Sequence, residues 1–256
     1  DRIIQYAEAT NEDNPAFTDL THSEGRLLAP PCFAFTYGLE SMTKVLMGQN
    51  WGIDFLRLVH GEQEFIYHHP VKSGDKIIGN SEITDVEDKE TGETITIKTK
   101  ISNEEGKLLT ESKYLFFIRK KGAKKGSAAT DDEVSSNYIF ETSMKTTDDQ
   151  ATRYGHASGD VNPIHMNPEA GKAAGLGGVI LHGLCTMALA SKALIDGCAN
   201  REAEKLHRLK VRFAKPVIPG DTVTTRVWGD GSEKFGFDVV TQKGDQVIKH
   251  GEAEFK

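Results

Sequence analysis

Apolar and polar positions alternate along this chain with two distinct periods. Residues 93–102 read ETITIKTKIS, isoleucines interleaved with polar residues, the period of two that marks a half-buried strand. Residues 106–119 repeat the signal, with Tyr114, Phe116 and Ile118 on one face. The second half carries similar patterns at 210–213, 222–228, 235–241 and 246–255. Turn-forming residues at 103–106 (NEEG), 229–231 (GDG) and 243–245 (KGD) separate them at hairpin spacing. Ahead of the strands of each half stands an apolar stretch of helical length, at 32–45 and 183–195. Ahead of each of these lies a polar, helical segment that ends in Asn-Pro. One long helix followed by an antiparallel meander, done twice, predicts an α+β fold.

The repetition extends to particular residues. QYAEATNEDNP at 5–15 and RYGHASGDVNP at 153–163 share Tyr, Ala, Asn and Pro at an offset of 148 residues. Pro70, Val71, Gly74 and Asp75 recur as Pro216, Val217, Gly220 and Asp221 at an offset of 146. Two ordered matches at nearly one offset point to a duplicated unit. Between the units, residues 119–136 (RKKGAKKGSAATDDEVSS) have no hydrophobic period and read as a solvated linker. The chain therefore divides into an N-terminal half at 1–118, the linker at 119–136 and a C-terminal half at 137–256.

A chain of 256 residues with 38% hydrophobic and 27% charged residues can bury a core without disulfides or metal. No apolar run approaches the ~20 residues of a membrane span, and the start does not resemble a signal peptide. A chain that opens on Asp1 is expected to be trimmed or to be a piece of something longer. The net charge of −7 argues against a nucleic-acid partner, whose binders carry a basic footprint. Cys32, Cys185 and Cys198 lack metal-ligand spacing, which suits a reducing intracellular compartment.

The densest chemistry lies in YGHASGDVNPIH, residues 154–165. Asp160 and His165 flank Asn162 and Pro163, and proline keeps the residue before it out of helix. The segment is then a loop able to aim a carboxylate, an amide and an imidazole at one point, where they can hold a water and move its protons. The same residues also serve as plain turn chemistry, with Asp capping the following helix and His at the surface. The first half has Glu12 and Phe17 in place of Asp160 and His165 while keeping Asn14 and Pro15. Loss of the pair from one copy suits one active and one retired site. Gly183 in ILHGLCT (180–186) stands near the start of the second apolar helix. The unpaired N–H groups of a first helical turn make an oxyanion hole there, although a tight helix start also requires glycine. His182 reads as a packed structural residue. The remaining histidines show no zinc spacing, so no metal is expected. Dinucleotide, P-loop and nucleophile-elbow patterns are missing, and no base activates Cys185 or Cys198.

These residues resemble the R-specific (type 2) enoyl-CoA hydratases, the MaoC-like dehydratases. Together with APPCF (29–33), VHGEQ (59–63), ILHGLCT and RFAKPVIPGD (212–221), the signature looks like the hydratase region of peroxisomal multifunctional β-oxidation enzymes. The resemblance covers essentially the whole chain. It implies a double hot-dog, two fused halves that each wrap an antiparallel sheet around a central helix. It implies reversible hydration of a trans-2-enoyl-CoA to a (3R)-3-hydroxyacyl-CoA. Asp160 and His165 would hold the water, Asn162 would orient them, and the Gly183 N–H would hold the thioester oxygen. CoA and acyl contacts would map to His60, Gly61, Lys89, Val161, Pro163, Ile164 and Phe213, although Lys89 also reads as an ordinary turn lysine and Phe213 as core. The degenerate half would leave room for an acyl chain, near Met42, Met47, Trp51 and Phe55. No cofactor is implied beyond the CoA of the substrate. The resemblance favours a homodimer, located in the peroxisome if the source is eukaryotic and otherwise in the cytoplasm. A hot-dog thioesterase, a non-catalytic acyl-CoA binder, and a dehydratase for branched, sterol-derived or carrier-bound acyl groups are the alternatives.

Overall fold

In both halves a run of helices precedes a four-stranded stretch of sheet, and in the second half a further strand comes before the helices. In this computed structural model, which describes residues 1–48, 53, 57–120 and 137–256, the first half runs α1 (Arg2–Ala9), α2 (Pro15–Thr18), a 3-10 turn (Pro31–Phe33) continuing into α3 (Ala34–Met47), β1 (Leu58–Tyr67), β2 (Ile77–Lys89), β3 (Gly92–Asn103) and β4 (Leu108–Arg119). The second runs β5 (Phe140–Lys145), α4 (Gln150–Ser158), α5 (Pro163–Met166), α6 (Pro168–Ala173), α7 (Gly183–Cys198), β6 (Leu206–Phe213), β7 (Thr222–Gly229), β8 (Lys234–Thr241) and β9 (Gln246–Phe255). Most of the expected linker, residues 121–136, lies outside the described residues.

The nine strands form one antiparallel sheet in the order β2-β3-β4-β1-β6-β9-β8-β7-β5. The halves join where β1 pairs with β6. At the offset of 146, Glu64 is the counterpart of Lys210, and the two stand directly opposite each other in that pairing. Tyr6 and Tyr154, counterparts at the offset of 148, also meet, with ring centroids 5.6 Å apart. Two pairs of equivalent residues facing each other define a pseudo-two-fold axis between the halves. This is the expected double hot-dog.

Helix α7 is the buried core of the second half: Cys185, Met187, Leu189, Ala190 and Leu194 have no exposed surface. Helix α3 packs on β2, β3 and β4, and α7 on β5, β6, β7 and β9. The alternation read from ETITIKTKIS holds, with Ile95, Ile97 and Ile101 of β3 buried. Strands β1, β2 and β5 were not expected. β2 and β5 are the sheet's two edges, and β2 is half-exposed or exposed along its whole length, so little hydrophobic pattern is required of it. β1 hides its alternation behind a bulge between His60 and Glu62. Gln63 and Phe65 point inward and are fully buried, which by strict alternation would turn His60 outward. The extra residue at Gly61 reverses this and sets His60 opposite Phe116, whose side chain is in the core. A Cβ on Gly61 would come 3.3 Å from the Leu115 carbonyl oxygen, so the glycine lets the bulge close against β4.

Phe65 is fully buried and pairs across the junction with Leu209. Phe65→Ala is expected to cost about 3–5 kcal/mol in denaturant unfolding, and to lower one shared transition because the sheet is continuous. Two separated transitions would show that the halves unfold independently.

Candidate active site

The α4–α5 connection is a chain of short local hydrogen bonds. α4 ends on Gly159 in the left-handed conformation, φ 85°, which glycine adopts without strain. The Asp160 N–H donates to Ser158 Oγ (3.2 Å), the Asn162 N–H to Asp160 Oδ1 (3.2 Å), and the Ile164 N–H to Asn162 Oδ1 (3.3 Å). Pro163 fills the first position of α5, where no N–H is needed. His165 therefore stands on a four-residue helix, not on the open loop expected from the sequence. Asn162 serves as the cap of that helix, so it acts on the pair by fixing the backbone that carries them.

His165 is 9% exposed and His182 is 1% exposed. Each has one ring nitrogen committed to a backbone carbonyl, which can only accept. His165 Nδ1–H donates to the Ile180 oxygen (2.8 Å), and His182 Nε2–H donates to the Asp160 carbonyl oxygen (2.9 Å). These bonds fix the tautomers and leave His165 Nε2 with its lone pair free. The two rings stack at 3.8 Å between centroids and 26° between planes. Burial holds both imidazoles neutral. The His165 pKa lies below its ordinary 6.5, opposed by the Ile180 bond and the Asp160 charge. That of His182 falls to about 3, with repulsion from His165 adding to the effect of burial.

A ligating atom from each of Asp160, His165 and His182 lies within 4.8 Å of the others. The arrangement suits proton transfer better than a metal. One nitrogen of each ring is already committed to a backbone carbonyl and the remaining His182 Nδ1 is enclosed, whereas a zinc ion needs nitrogens converging on it at ~2.0–2.1 Å.

Gly183 is the first residue of α7, where helix geometry leaves the N–H without an intrahelical acceptor and the dipole is positive. The Phe213 ring lies against it, and a Cβ on Gly183 would come 2.8 Å from that ring. Phe213 in turn meets His60 of the first half, centroids 5.1 Å apart. Burial lowers the His60 pKa to about 4, and the main opposing influence is the Asp160 carboxylate. The site is thus built across the β1–β6 junction, a placement of His60 that spacing along the chain does not reveal.

The other expected contacts scatter around this centre. Val161 is 57% exposed, Pro163 is exposed and Ile164 half-buried, beside Asp160. Lys89 sits at the turn end of β2 on the same rim of the sheet as His60, but three strands away, about 14 Å at ordinary strand spacing. It is paired with Glu87. Met42 is buried core and Met47 is 62% exposed, while Trp51 and Phe55 lie outside the described residues. Cys32 and Cys185 are fully enclosed, and burial pushes both thiols far above the ordinary range.

The first half preserves the scaffold of the site and none of its chemistry. Asn14 caps α2 through the Ala16 N–H (3.0 Å) as Asn162 caps α5. The Glu12 carboxylate accepts the Asn14 N–H (2.9 Å), copying Asp160, but Lys192 of α7 stands 3.6 Å from it. Phe17, at the place of His165, is fully buried. Backbone bonds extend the equivalence. Leu28 N–H donates to Ala16 O and Ala29 N–H to Val71 O, as Ile180 N–H does to Ile164 O and Leu181 N–H to Val217 O. That alignment puts Pro30 at the place of His182 and Pro31 at that of Gly183. Proline has no N–H, so the first half has no backbone donor at the place of the Gly183 N–H and no imidazole at that of His165.

Comparison with known proteins finds two family matches along the chain. Residues 130–250 match the MaoC like domain, and residues 1–112 match the FAS1-like dehydratase domain region. A Dictyostelium discoideum protein named probable enoyl-CoA hydratase 2 is 31% identical over 211 residues, covering 79% of this chain and 72% of that one. Peroxisomal multifunctional enzyme type 2 of Drosophila melanogaster is 31% identical over 249 residues, 93% of this chain, but this chain spans only 42% of its length. The solved structure of that full-length enzyme superposes with a TM-score of 0.83 at 26% identity, covering 100% of this chain and 46% of that one. A MaoC-like dehydratase from Phytophthora capsici gives the same TM-score and identity, with 100% of this chain and 92% of that one covered.

Nitrogen-15 NMR at neutral pH is expected to show neutral His165 protonated at Nδ1 and neutral His182 protonated at Nε2. Each should reach half-protonation only below pH 6.5. Because folded pKa values lie below the unfolded 6.5, the unfolded chain takes up more protons as pH falls below that value. Their contribution to stability is therefore complete above 6.5 and is lost as pH falls, for His182 on the way down toward 3. Half-protonation of either residue at or above pH 6.5 would contradict this.

Proposed function

The chain belongs to the MaoC-like dehydratase and enoyl-CoA hydratase 2 family, and from that premise we propose that it catalyses the reversible syn hydration of a trans-2-enoyl-CoA to a (3R)-3-hydroxyacyl-CoA in fatty-acid metabolism. The observation that carries this reading is a neutral His165 with its Nε2 lone pair free, beside the Asp160 carboxylate, at the mouth of the helix that opens on Gly183.

In this reading the Asp160 carboxylate and His165 Nε2 hold one water over C3 of the substrate. As the water oxygen bonds to C3, His165 Nε2 accepts a water proton, and the double-bond electrons move through C2 onto the thioester oxygen. The Gly183 N–H and the positive end of α7 stabilise the charge that collects there, a contribution typically worth ~2.7–4 kcal/mol of barrier. The enolate then collapses as the Asp160–His165 pair returns a proton to C2. Hydrogen and hydroxyl have been added across one double bond, and both groups regain their starting state. Asn162 keeps Asp160 and His165 in register through the α5 cap. His60 and Phe213 form the apolar wall beside the reacting carbons, and Val161, Pro163 and Ile164 border the opening. Lys89, on the outer rim, would meet only the far, phosphorylated end of a CoA. Gly61 would act through the bulge that turns His60 inward. No step requires a cofactor. Several relatives are named as peroxisomal, and we place this chain there if its source is eukaryotic; we also expect two copies to associate, which light scattering would show.

The test is loss of the ultraviolet absorbance of the enoyl thioester with crotonyl-CoA and trans-2-decenoyl-CoA, with free thiol followed in parallel. Hydration without thiol release is expected, and Asp160→Asn or His165→Ala should slow it by about 10²–10⁴-fold. Thiol release would identify a thioesterase. Inactivity toward both substrates would point to a branched or carrier-bound acyl group.

The pH dependence has a definite sign. Activity needs neutral His165, whose pKa lies below 6.5, so kcat should rise with pH along an acid limb centred below 6.5 and then level off. A limb centred above 6.5 would exclude His165 as the base. Gly183→Ala should also lower kcat, because the added methyl displaces Phe213 from the place it now occupies against the α7 start.

A further inference from the structure

We propose that His182 is the positioning residue of the site, one side chain that sets the backbone carrying the carboxylate and the ring of the base relative to each other, at the residue on which the helix bearing the oxyanion donor begins. The proposal deepens the hydratase reading and rests on it for the reaction, while its geometric content stands apart.

Three contacts support it. The His182 Nε2–H bond to the Asp160 carbonyl oxygen, at 2.9 Å, spans 22 residues of sequence and pins the backbone that carries the carboxylate. The face of its ring lies 3.8 Å from the His165 ring, so the base is held from one side by His182 while the Ile180 carbonyl fixes its edge. Its own carbonyl accepts the Cys185 and Thr186 N–H groups (3.1 and 3.2 Å), so His182 is the residue on which α7 begins and from which the Gly183 N–H is presented. The fully buried Tyr154 ring also packs against it, centroids 4.8 Å apart. In contact with two rings and at 1% exposure, the imidazole is tightly enclosed.

The chemistry of the ring also fits this role and no other. Its one N–H is used on the Asp160 backbone, and Nδ1 is enclosed without a protein partner among the described residues. It therefore has no proton in reserve for the substrate. Protonating it would put a cation against the His165 ring, so its neutrality also keeps the neighbouring base available. The first half supplies the contrast. Pro30 takes the same place, with no side-chain donor and no ring to stack, in the copy that has lost both Asp160 and His165.

Two variants separate positioning from bulk. His182→Phe keeps a ring against His165 and removes the donor; His182→Gln keeps an N–H near the Nε2 position and removes the ring. In the full chain with crotonyl-CoA, His182→Phe should lower kcat by about 10²-fold, the scale of a misplacement of about 1 Å, with KM unchanged. His182→Gln should recover much of that loss. NMR should show the His165 ring resonances displaced in His182→Phe at unchanged melting temperature. Wild-type kcat in His182→Phe, or a fall that His182→Gln does not relieve, would overturn the proposal. A wild-type protein that hydrates no enoyl-CoA, yet shows the NMR displacement in His182→Phe, would leave the positioning intact and remove the hydratase reading. Unchanged His165 resonances would remove the positioning itself.

Discussion

The pairing of β1 with β6 is the constraint on which the rest depends. It is a backbone ladder between two copies of one unit, and it places the start of one strand beside the end of the other. His60 and Phe213 belong to different halves and meet only because of it. Gly61 then determines which way His60 faces, since a single bulge moves a side chain from one face of a sheet to the other. Phe213 in turn can lie on the start of α7 only because residue 183 has no Cβ. Backbone pairing, one bulge and one missing methylene thus bring the wall of the site into contact with its floor.

Burial then chooses the protonation states. Three histidines are enclosed at this place, and desolvation disfavours the charged form of each more strongly than its neighbours favour it: the Asp160 carboxylate for His60 and His165, the Asp160 backbone carbonyl for His182. Carbonyl acceptors at Ile180 and Asp160 settle which nitrogen carries the remaining proton. The outcome is a neutral imidazole with its lone pair directed away from the backbone, beside the Asp160 carboxylate.

Duplication explains why so much scaffold surrounds so little chemistry. The cap made by Asn14 is the cap made by Asn162, and the carboxylate of Glu12 repeats the local bond of Asp160. The site positions are among those that differ: Glu12 for Asp160, Phe17 for His165, Pro30 for His182 and Pro31 for Gly183. The retired carboxylate now faces Lys192 from the opposite half and serves the contact between the halves.

The duplication, the two helix-plus-meander units and the candidate set of Asp160, Asn162, His165 and Gly183 are legible along the chain. These are local signals: a period of two in β3, a Gly-Asp-x-Asn-Pro turn held by bonds over two residues, a glycine at a helix start. The sequence left β2 and β5 unseen because edge strands need no buried face, and it hid β1 because a bulge breaks the alternation that identifies a strand. It points to Asn162 as the residue that orients the pair, and reads His182 as packing. The surroundings of His182 and His60 are not local, since the bond from His182 to the Asp160 carbonyl spans 22 residues and His60 meets Phe213 across the β1–β6 pairing, and contacts at that separation are set by which strands pair and which helix end they enclose.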